Sequence, residues 1–238
     1  MPERSKNTNP ITLGIEMSNP SSTIAGDPAH AIALWQGTLT DAKPIASAPM
    51  PEGTRGSDGV MIAIESLCAA NDIKPVDITR ILVSCGPGGY TALRIATTTA
   101  KMLAHTLNAA LVAVPSARVG AVAITSDDRP ALITLASKKN MAHASMLLDT
   151  GQVEEIGIIS AERLTDLDMR SIVADSHMPE SFAMAAQLMG VQCLKLRLDA
   201  RNLLQASAGL EPVDPLHLAP IYAREPGAVT QWRARGSQ

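Results

Sequence analysis

The sequence predicts an α/β fold built as two lobes, and three observations carry that reading. Residues Arg80 to Ser116 (R-I-L-V-S-C-G-P-G-G-Y-T-A-L-R-I-A-T-T-T-A-K-M-L-A-H-T-L-N-A-A-L-V-A-V-P-S) read as strand, glycine turn, helix, strand, the unit that forms a right-handed parallel crossover. Within residues 1–116 the elements fall in the order β-β-β-α-β-α-β. Past Pro115 short apolar runs alternate with helical patterns, as a second, smaller α/β lobe over residues 117–238 would require.

In the first lobe, residues 1–10 read as a loose polar tail. Ile11 to Met17 is the first strand, ending in the polar turn Ser18-Asn19-Pro20-Ser21-Ser22. Ala31 to Trp35 is a second strand, Gly37 a turn and Thr38 to Ala46 a third strand, the short turns making antiparallel hairpins. After a loop rich in proline, glycine and charge at Pro49 to Asp58, the residues Val60, Met61, Ile64, Leu67 and Cys68 recur at helical spacing up to Asn71. Ile81 to Cys85 is a short apolar run stopped by Gly86-Pro87-Gly88-Gly89, which suits a buried strand. Thr91 stands where an N-cap belongs, and the helix behind it carries Leu93, Ile95, Ala96, Met102, Leu103 and Leu107. Leu111 to Val114 is the next strand, closed by Pro115.

In the second lobe Ala117 to Ile124 reads as a short helix. Ala131 to Ala136 and Met141 to Leu148 read as a hairpin joined by Ser137-Lys138-Lys139-Asn140, and Ile156 to Ile159 as a further strand that can pair with it. A helix at Ala161 to Met169, a strand at Ser171 to Ala174, a helix at Glu180 to Met189, a strand at Val191 to Leu196 and a helix at Asp199 to Ala208 complete the expectation.

Composition narrows the class. With 46% hydrophobic but only 2% aromatic residues over 238 positions, the chain can bury a core that must be aliphatic. A formal charge of −3 supplies no field that would draw nucleic acid, so any RNA-binding surface is expected on a partner. Cys68, Cys85 and Cys193 lie far apart in apolar contexts and are expected to be buried, reduced packing residues. The polar start M-P-E-R-S-K-N-T-N-P and the lack of an apolar run of membrane-spanning length point to a soluble, cytoplasmic protein with no membrane association.

No catalytic constellation stands out. His30, His105, His143, His177 and His217 are scattered without H-x-x-x-H or H-E-x-x-H spacing, so no metal site is expected. There is no G-x-S-x-G, and Ser84 or Ser116 lacks an indicated base. Cys85 precedes a helix start that can activate a thiol, but its place at the end of a buried strand favours packing. The glycine turn has two readings. Its glycines let a helix start tightly against the sheet, or its free N–H groups seat an anion such as phosphate, in which case Gly86, Pro87, Gly88, Gly89, Thr91 and Arg94 form the seat. It is neither a P-loop nor a G-x-G-x-x-G turn.

The stretch G-P-G-G-Y-T-A-L-R-I-A-T-T-T-A-K-M-L-A resembles the G-P-G-S-F-T-G-L-R-I-G-x-x-x-A-K-G-L-A signature of the TsaB (YeaZ-like) family, with Gly86, Pro87, Gly88, Thr91, Leu93, Arg94, Ile95, Ala100, Lys101, Leu103 and Ala104 in register. Gly89, Tyr90 and Ala92 replace serine, phenylalanine and glycine. I-T-L-G-I-E-M-S-N-P resembles the family's I-L-A-I-D-T-S-T-P, with Glu16 in place of aspartate and a longer turn from Asn19 to Pro28, and A-I-A-L-W-Q-G resembles S-V-A-L-W-x-x-G. The family's D-A-R-x-x-E-V-Y segment is replaced by L-A-S-K-K-N-M-A-H-A, whereas L-A-P-I-Y-A-R-E-P-G keeps the A-x-P-x-Y-L-R motif at Pro220, Tyr222 and Arg224.

The resemblance implies an actin-like ATPase fold (ASKHA, sugar kinase/Hsp70-type) with two lobes. It implies a role in threonylcarbamoyl-adenosine modification of tRNA, in a family long labelled glycoprotease-like, as a non-catalytic partner of a TsaD-type enzyme. A TsaE-type ATPase in the same complex, tRNA contact only through the complex, ATP and divalent metal held by the partner rather than by this chain, and a homodimer of the isolated protein follow from the same resemblance. The partner surface it implies is the helix pair 58–71 and 91–108, through Val60, Ile64, Leu67, Arg94, Thr98, Lys101 and His105. The plainer reading of those helices is one buried face and one wet face. The alternative function is a stand-alone enzyme of the same fold, an ATPase or a peptidase, using Glu16 and the glycine turn.

Overall fold

The computed structural model describes residues 10–19, 29–51 and 57–224. Residues 1–9 of the expected tail, the turn at 20–28, the loop centre at 52–56 and the chain after Arg224 lie outside the described residues.

Five strands form the first sheet: β1 (Ile11–Ile15), β2 (Ile32–Gln36), β3 (Lys43–Ala48), β4 (Ile78–Gly86) and β5 (Ala110–Pro115), in the order β3-β2-β1-β4-β5. β1 pairs antiparallel with β2 and β2 with β3, while β1, β4 and β5 are parallel. The second sheet contains β6 (Ala131–Lys138), β7 (Met141–Leu147), β8 (Val153–Ser160), β9 (Ser171–Ala174) and β10 (Gln192–Lys195). Its order, β8-β7-β6-β9-β10, repeats that of the first sheet strand for strand, with the same antiparallel hairpins followed by parallel crossovers. Two sheets of this one topology make the actin-like α/β fold.

The period-2 pattern of the strands sorts their side chains into layers. Ile11, Leu13 and Ile15 of β1 and Ile81, Val83 and Cys85 of β4 meet the buried faces of α1 (Ser57–Ala70) and α2 (Tyr90–Leu107). The opposite face, with Trp35, Leu82, Val112 and Val114, shares one core with α3 (Ser116–Ala121), α5 (Leu203–Ala206) and Ile133, Leu135 and Val173 of the second sheet. The outer face of the second sheet packs Leu132, Met146 and Ile172 against α4 (Glu180–Met189) and its Phe182. The layers therefore run helix, sheet, helix, sheet, helix, with the middle helices fastening the two sheets together.

α2 sits close to its sheet because Ala96, Ala100 and Ala104 line its buried face with Leu93 and Thr97. Thr97 is tolerated there because its hydroxyl donates to Leu93 O at 2.7 Å. The helix ends at Asn108, whose left-handed φ of 48° and N–H to Ala104 O close the last turn.

Several expectations need correction. Residues Thr38 to Asp41 are a turn rather than strand, because Asp41 accepts from both the N–H and the hydroxyl of Thr38, and β3 starts at Lys43. The hairpin turn is the pair Lys139-Asn140 alone, with φ of 52° and 57°, the backbone that matches the strand twist. Ala161–Asp166 is a short 3-10 turn instead of an α-helix, and the helix expected at Asp199 to Ala208 begins as a 3-10 turn, Ala200–Asn202, set by Asp199 accepting from Arg201 N, and is α-helical only over α5. Gly89, not Thr91, caps α2. Cys193 is exposed, unlike Cys68 and Cys85, because β10 is the outermost strand of its sheet.

The lone phenylalanine, Phe182, is fully buried between α4 and the second sheet. Phe182→Ala is expected to cost about 3–5 kcal/mol in urea unfolding, since an aliphatic core with small helix faces cannot collapse around the space. A loss under about 1 kcal/mol would mean that this lobe repacks freely.

Candidate functional site

β4 runs into the glycine turn at Gly86, whose φ is +114°, and a Cβ there would lie 2.3 Å from Ile221 O. At Gly88 a Cβ would lie 2.1 Å from Ser18 O. Two backbone bonds hold these approaches: Ile221 N–H donates to Cys85 O and Gly89 N–H donates to Ser18 O, each at 2.7 Å. The turn is thus clamped between the end of β1 and the C-terminal segment. Gly86 and Gly88 are sterically required, whereas a Cβ at Gly89 would meet only ordinary contacts at 3.7 Å and beyond, which fits the serine the family carries there. One of the N–H groups that an anion would use, that of Gly89, is engaged by Ser18.

The C-terminal segment ties further parts together. Val213 bridges Leu111 on β5, and Lys101 Nζ donates to Leu218 O at 3.0 Å and Leu216 O at 3.4 Å. Tyr222 stacks on Tyr90 with ring centroids 4.7 Å apart, and the Arg94 guanidinium lies 5.5 Å from the Tyr90 ring. Arg224 Nη2 donates to Lys138 O at 2.6 Å and Met141 O at 3.3 Å, on either side of the Lys139-Asn140 turn. The P-x-Y-x-R motif therefore reaches from the start of α2 to the second sheet. Tyr90, which replaces the phenylalanine of the resembled signature, meets its stacking partner across 132 residues of chain.

Polar groups gather where β1, β4 and β5 end. Glu16 is 5% exposed; its Oε1 accepts from Ser18 N at 2.7 Å and Ser18 Oγ at 2.6 Å, and its Oε2 is buried without a partner among the described residues. Burial pushes the Glu16 carboxyl above its ordinary 4.5, with the Ser18 bonds and Ser84 opposing and the charge of Asp199 adding. Ser84 and Ser116 hydroxyls bond each other at 2.9 Å. Asn19 donates to Asp175 at the end of β9, a side-chain bond between the two lobes. For Asp199, burial alone would raise the carboxyl, but bonds from Arg201, His30 N–H and Arg197 outweigh it and hold the group at about 2. Among the described residues no three His, Cys, Asp or Glu side chains are grouped to hold a metal ion. Burial pushes the Cys85 thiol up to about 12, which leaves it a packing residue.

The helix face differs from the expectation in its membership. Val60 and Ile64 are buried in the core and cannot meet a partner, Leu67 is half-buried, and Lys101 bonds the C-terminal carbonyls. Arg94, Thr98 and His105 are exposed as expected. Joining them are Met61 and Ile62 on α1 and Tyr90 and Met102 on α2, Met102 being 61% exposed. Thr91, Arg94, Ile95, Thr98 and Thr99 line a shallow groove of about 310 Å³ along α2. Met102, one of the apolar residues of this helix, points outward because Ala100 and Ala104 hold the sheet-facing line.

More than half of the chain, residues 54–191, matches the family model described as TsaD: tRNA N6-adenosine threonylcarbamoyltransferase. Over 56 residues the chain is 45% identical to the tRNA threonylcarbamoyladenosine biosynthesis protein TsaB of Bacillus subtilis (strain 168), 24% of this chain and 24% of that one. The chain thus spans about a quarter of the length of the curated relative it matches. Two Pseudomonas aeruginosa structures share its fold. One is YeaZ, with a TM-score of 0.62 and 15% identity over 90% of this chain and 99% of that one. The other, described by its similarity to peptidase YeaZ, has a TM-score of 0.60 and 14% identity over 90% and 100%. Among the described residues no helix is long and apolar enough to cross a membrane.

Because the folded-state value of Glu16 is raised, the stability tied to its proton is fully present below 4.5 and is lost as pH rises through the folded value. Glu16→Gln is therefore expected to gain on the wild type in urea unfolding as pH rises from 4.5 to the folded value, by up to about 1.4 kcal/mol per pH unit, and to keep a constant lead above it. A gap that stays constant from 4.5 upward would show that Glu16 titrates as an ordinary carboxylate. In thiol labelling of the native protein Cys193 is expected to react at once, and Cys68 and Cys85 only after denaturation.

Proposed function

The chain belongs to the family of the tRNA N6-adenosine threonylcarbamoyltransferase model, among the TsaB (YeaZ-like) proteins, and from that premise we propose that it is a non-catalytic partner of a TsaD-type enzyme in threonylcarbamoyl-adenosine modification of tRNA. The observation that carries the reading is the outer face of α1 and α2. Met61, Ile62, Tyr90 and Met102 leave apolar surface on two helices that pack on the same side of the first sheet, beside a groove with Arg94 at its edge. Methionine, tyrosine and arginine are the side chains that protein interfaces favour. In the proposed complex the TsaD-type protein holds ATP and the divalent metal, a TsaE-type ATPase joins, and tRNA is met only through the assembly. The isolated protein pairs with itself through the same face in the cytoplasm.

Co-purification with the TsaD-type protein of the same organism, with and without nucleotide and tRNA, tests this. A stable complex that restores threonylcarbamoylation is expected, and Met102→Asp or Arg94→Glu is expected to weaken it by about tenfold or more. Unchanged affinity in both variants would remove the helix face from the interface, and no complex under any condition would overturn the partner reading.

The alternative, an enzyme in its own right, rests on Glu16, one of whose acceptor oxygens has no partner among the described residues, where β1, β4 and β5 end. Turnover by the protein alone that is lost in Glu16→Gln would favour it.

A further inference from the structure

At the end of β6 and β7 away from the Lys139-Asn140 turn, α3, α5 and the start of β8 border a hollow of about 210 Å³. Among the described residues its lining includes Arg118, Arg129 and Gln205 over Leu147 and Val153, and no carboxylate. Both guanidinium groups are fixed by backbone carbonyls: Arg118 Nη2 donates to Ala208 O at 2.7 Å and Arg129 Nη2 to Ile124 O at 2.9 Å. Arg129 Nε is buried with no acceptor among the described residues. A buried N–H on a charged group that finds no acceptor is costly, so the arrangement favours whatever brings an oxygen to it. Gly151, at φ +85°, opens the rim, since a Cβ there would come within 3.4 Å of Arg129 Nη1.

We propose that this hollow is an anion site for a phosphate-type group, held by Arg118, Arg129 and Gln205 and reached past Gly151. A guanidinium offers five donors in a planar fork, and a single arginine already satisfies a flat carboxylate. Two arginines delivered from different elements, α3 and the segment before β6, with a side-chain amide beside them, suit a tetrahedral group that presents oxygens in several directions. The site lies apart from the glycine turn and the α1/α2 face and does not rest on the partner reading. The phosphate is either a free phosphoester or the phosphodiester of an RNA strand, which share this chemistry.

The test uses the full chain, titrated with inorganic phosphate at constant ionic strength in chloride and followed by calorimetry and thermal unfolding. Arg118→Gln removes one guanidinium, and Gln205→Glu places a carboxylate at an exposed position on the rim, where misfolding is not expected. Saturable phosphate binding by the wild type, weakened about tenfold or more in both variants, is the expected result. Equal responses to phosphate and chloride, or one phosphate affinity across all three proteins, would overturn the proposal. A short unstructured RNA identifies the source. RNA binding that phosphate displaces and Gln205→Glu weakens assigns the phosphodiester. Phosphate binding lost in Gln205→Glu without any RNA binding assigns a free phosphoester.

Discussion

Two backbone carbonyls, Ser18 O and Ile221 O, press against the bare α-carbons of Gly86 and Gly88, and the N–H groups of Gly89 and Ile221 lock the contact from either side. A side chain at either glycine would force backbone against backbone, which no rotamer change relieves. Through this clamp the end of β1, the exit of β4, the first turn of α2 and the C-terminal segment hold one position. The stack of Tyr222 on Tyr90 and the bonds of Arg224 to Lys138 and Met141 extend it from the start of α2 to the second sheet. A change at the α2 face therefore has a physical route to the opposite lobe.

The middle of the molecule is held differently. The two sheets face each other across α3 and α5 with a core that is aliphatic apart from Trp35. Asp199 is the main polar tie: two arginines and the N–H of His30 converge on it, and Ala200 N–H returns to His30 O at 2.8 Å, joining the exit of the second sheet to the entry of β2. Its low pKa and the raised one of Glu16 show the two outcomes of burying a carboxylate: cations and N–H donors stabilise its charge, whereas burial with few donors favours the proton.

Much of this was legible in the chain. The strand at Ser171–Ala174 and the helix at Glu180–Met189 fall at the residues that periodicity marked, and the crossover 80–116 forms as strand, turn and helix. Errors gathered where local pattern competes with local hydrogen bonding. Thr38 to Asp41 has strand-like composition, but an aspartate three residues on captures the threonine N–H and makes a turn. At Ala161 a full helix was expected but only 3-10 turns form, and the helix expected from Asp199 turns α-helical only at Leu203.

The sequence alone determined the elements, their order and the family signature, because hydrophobic period, glycine turns and helix-forming runs act between near neighbours. Tertiary structure decided which residues of those elements are available. Val60 and Ile64 lie inside and Met102 outside because the sheet selects the small-residue line of α2 and the matching face of α1. Lys101 is taken by carbonyls more than a hundred residues away, and Arg118 and Arg129 come to line one hollow only when α3 packs beside the second sheet. Burial and long-range hydrogen bonding depend on distances that local sequence pattern does not encode.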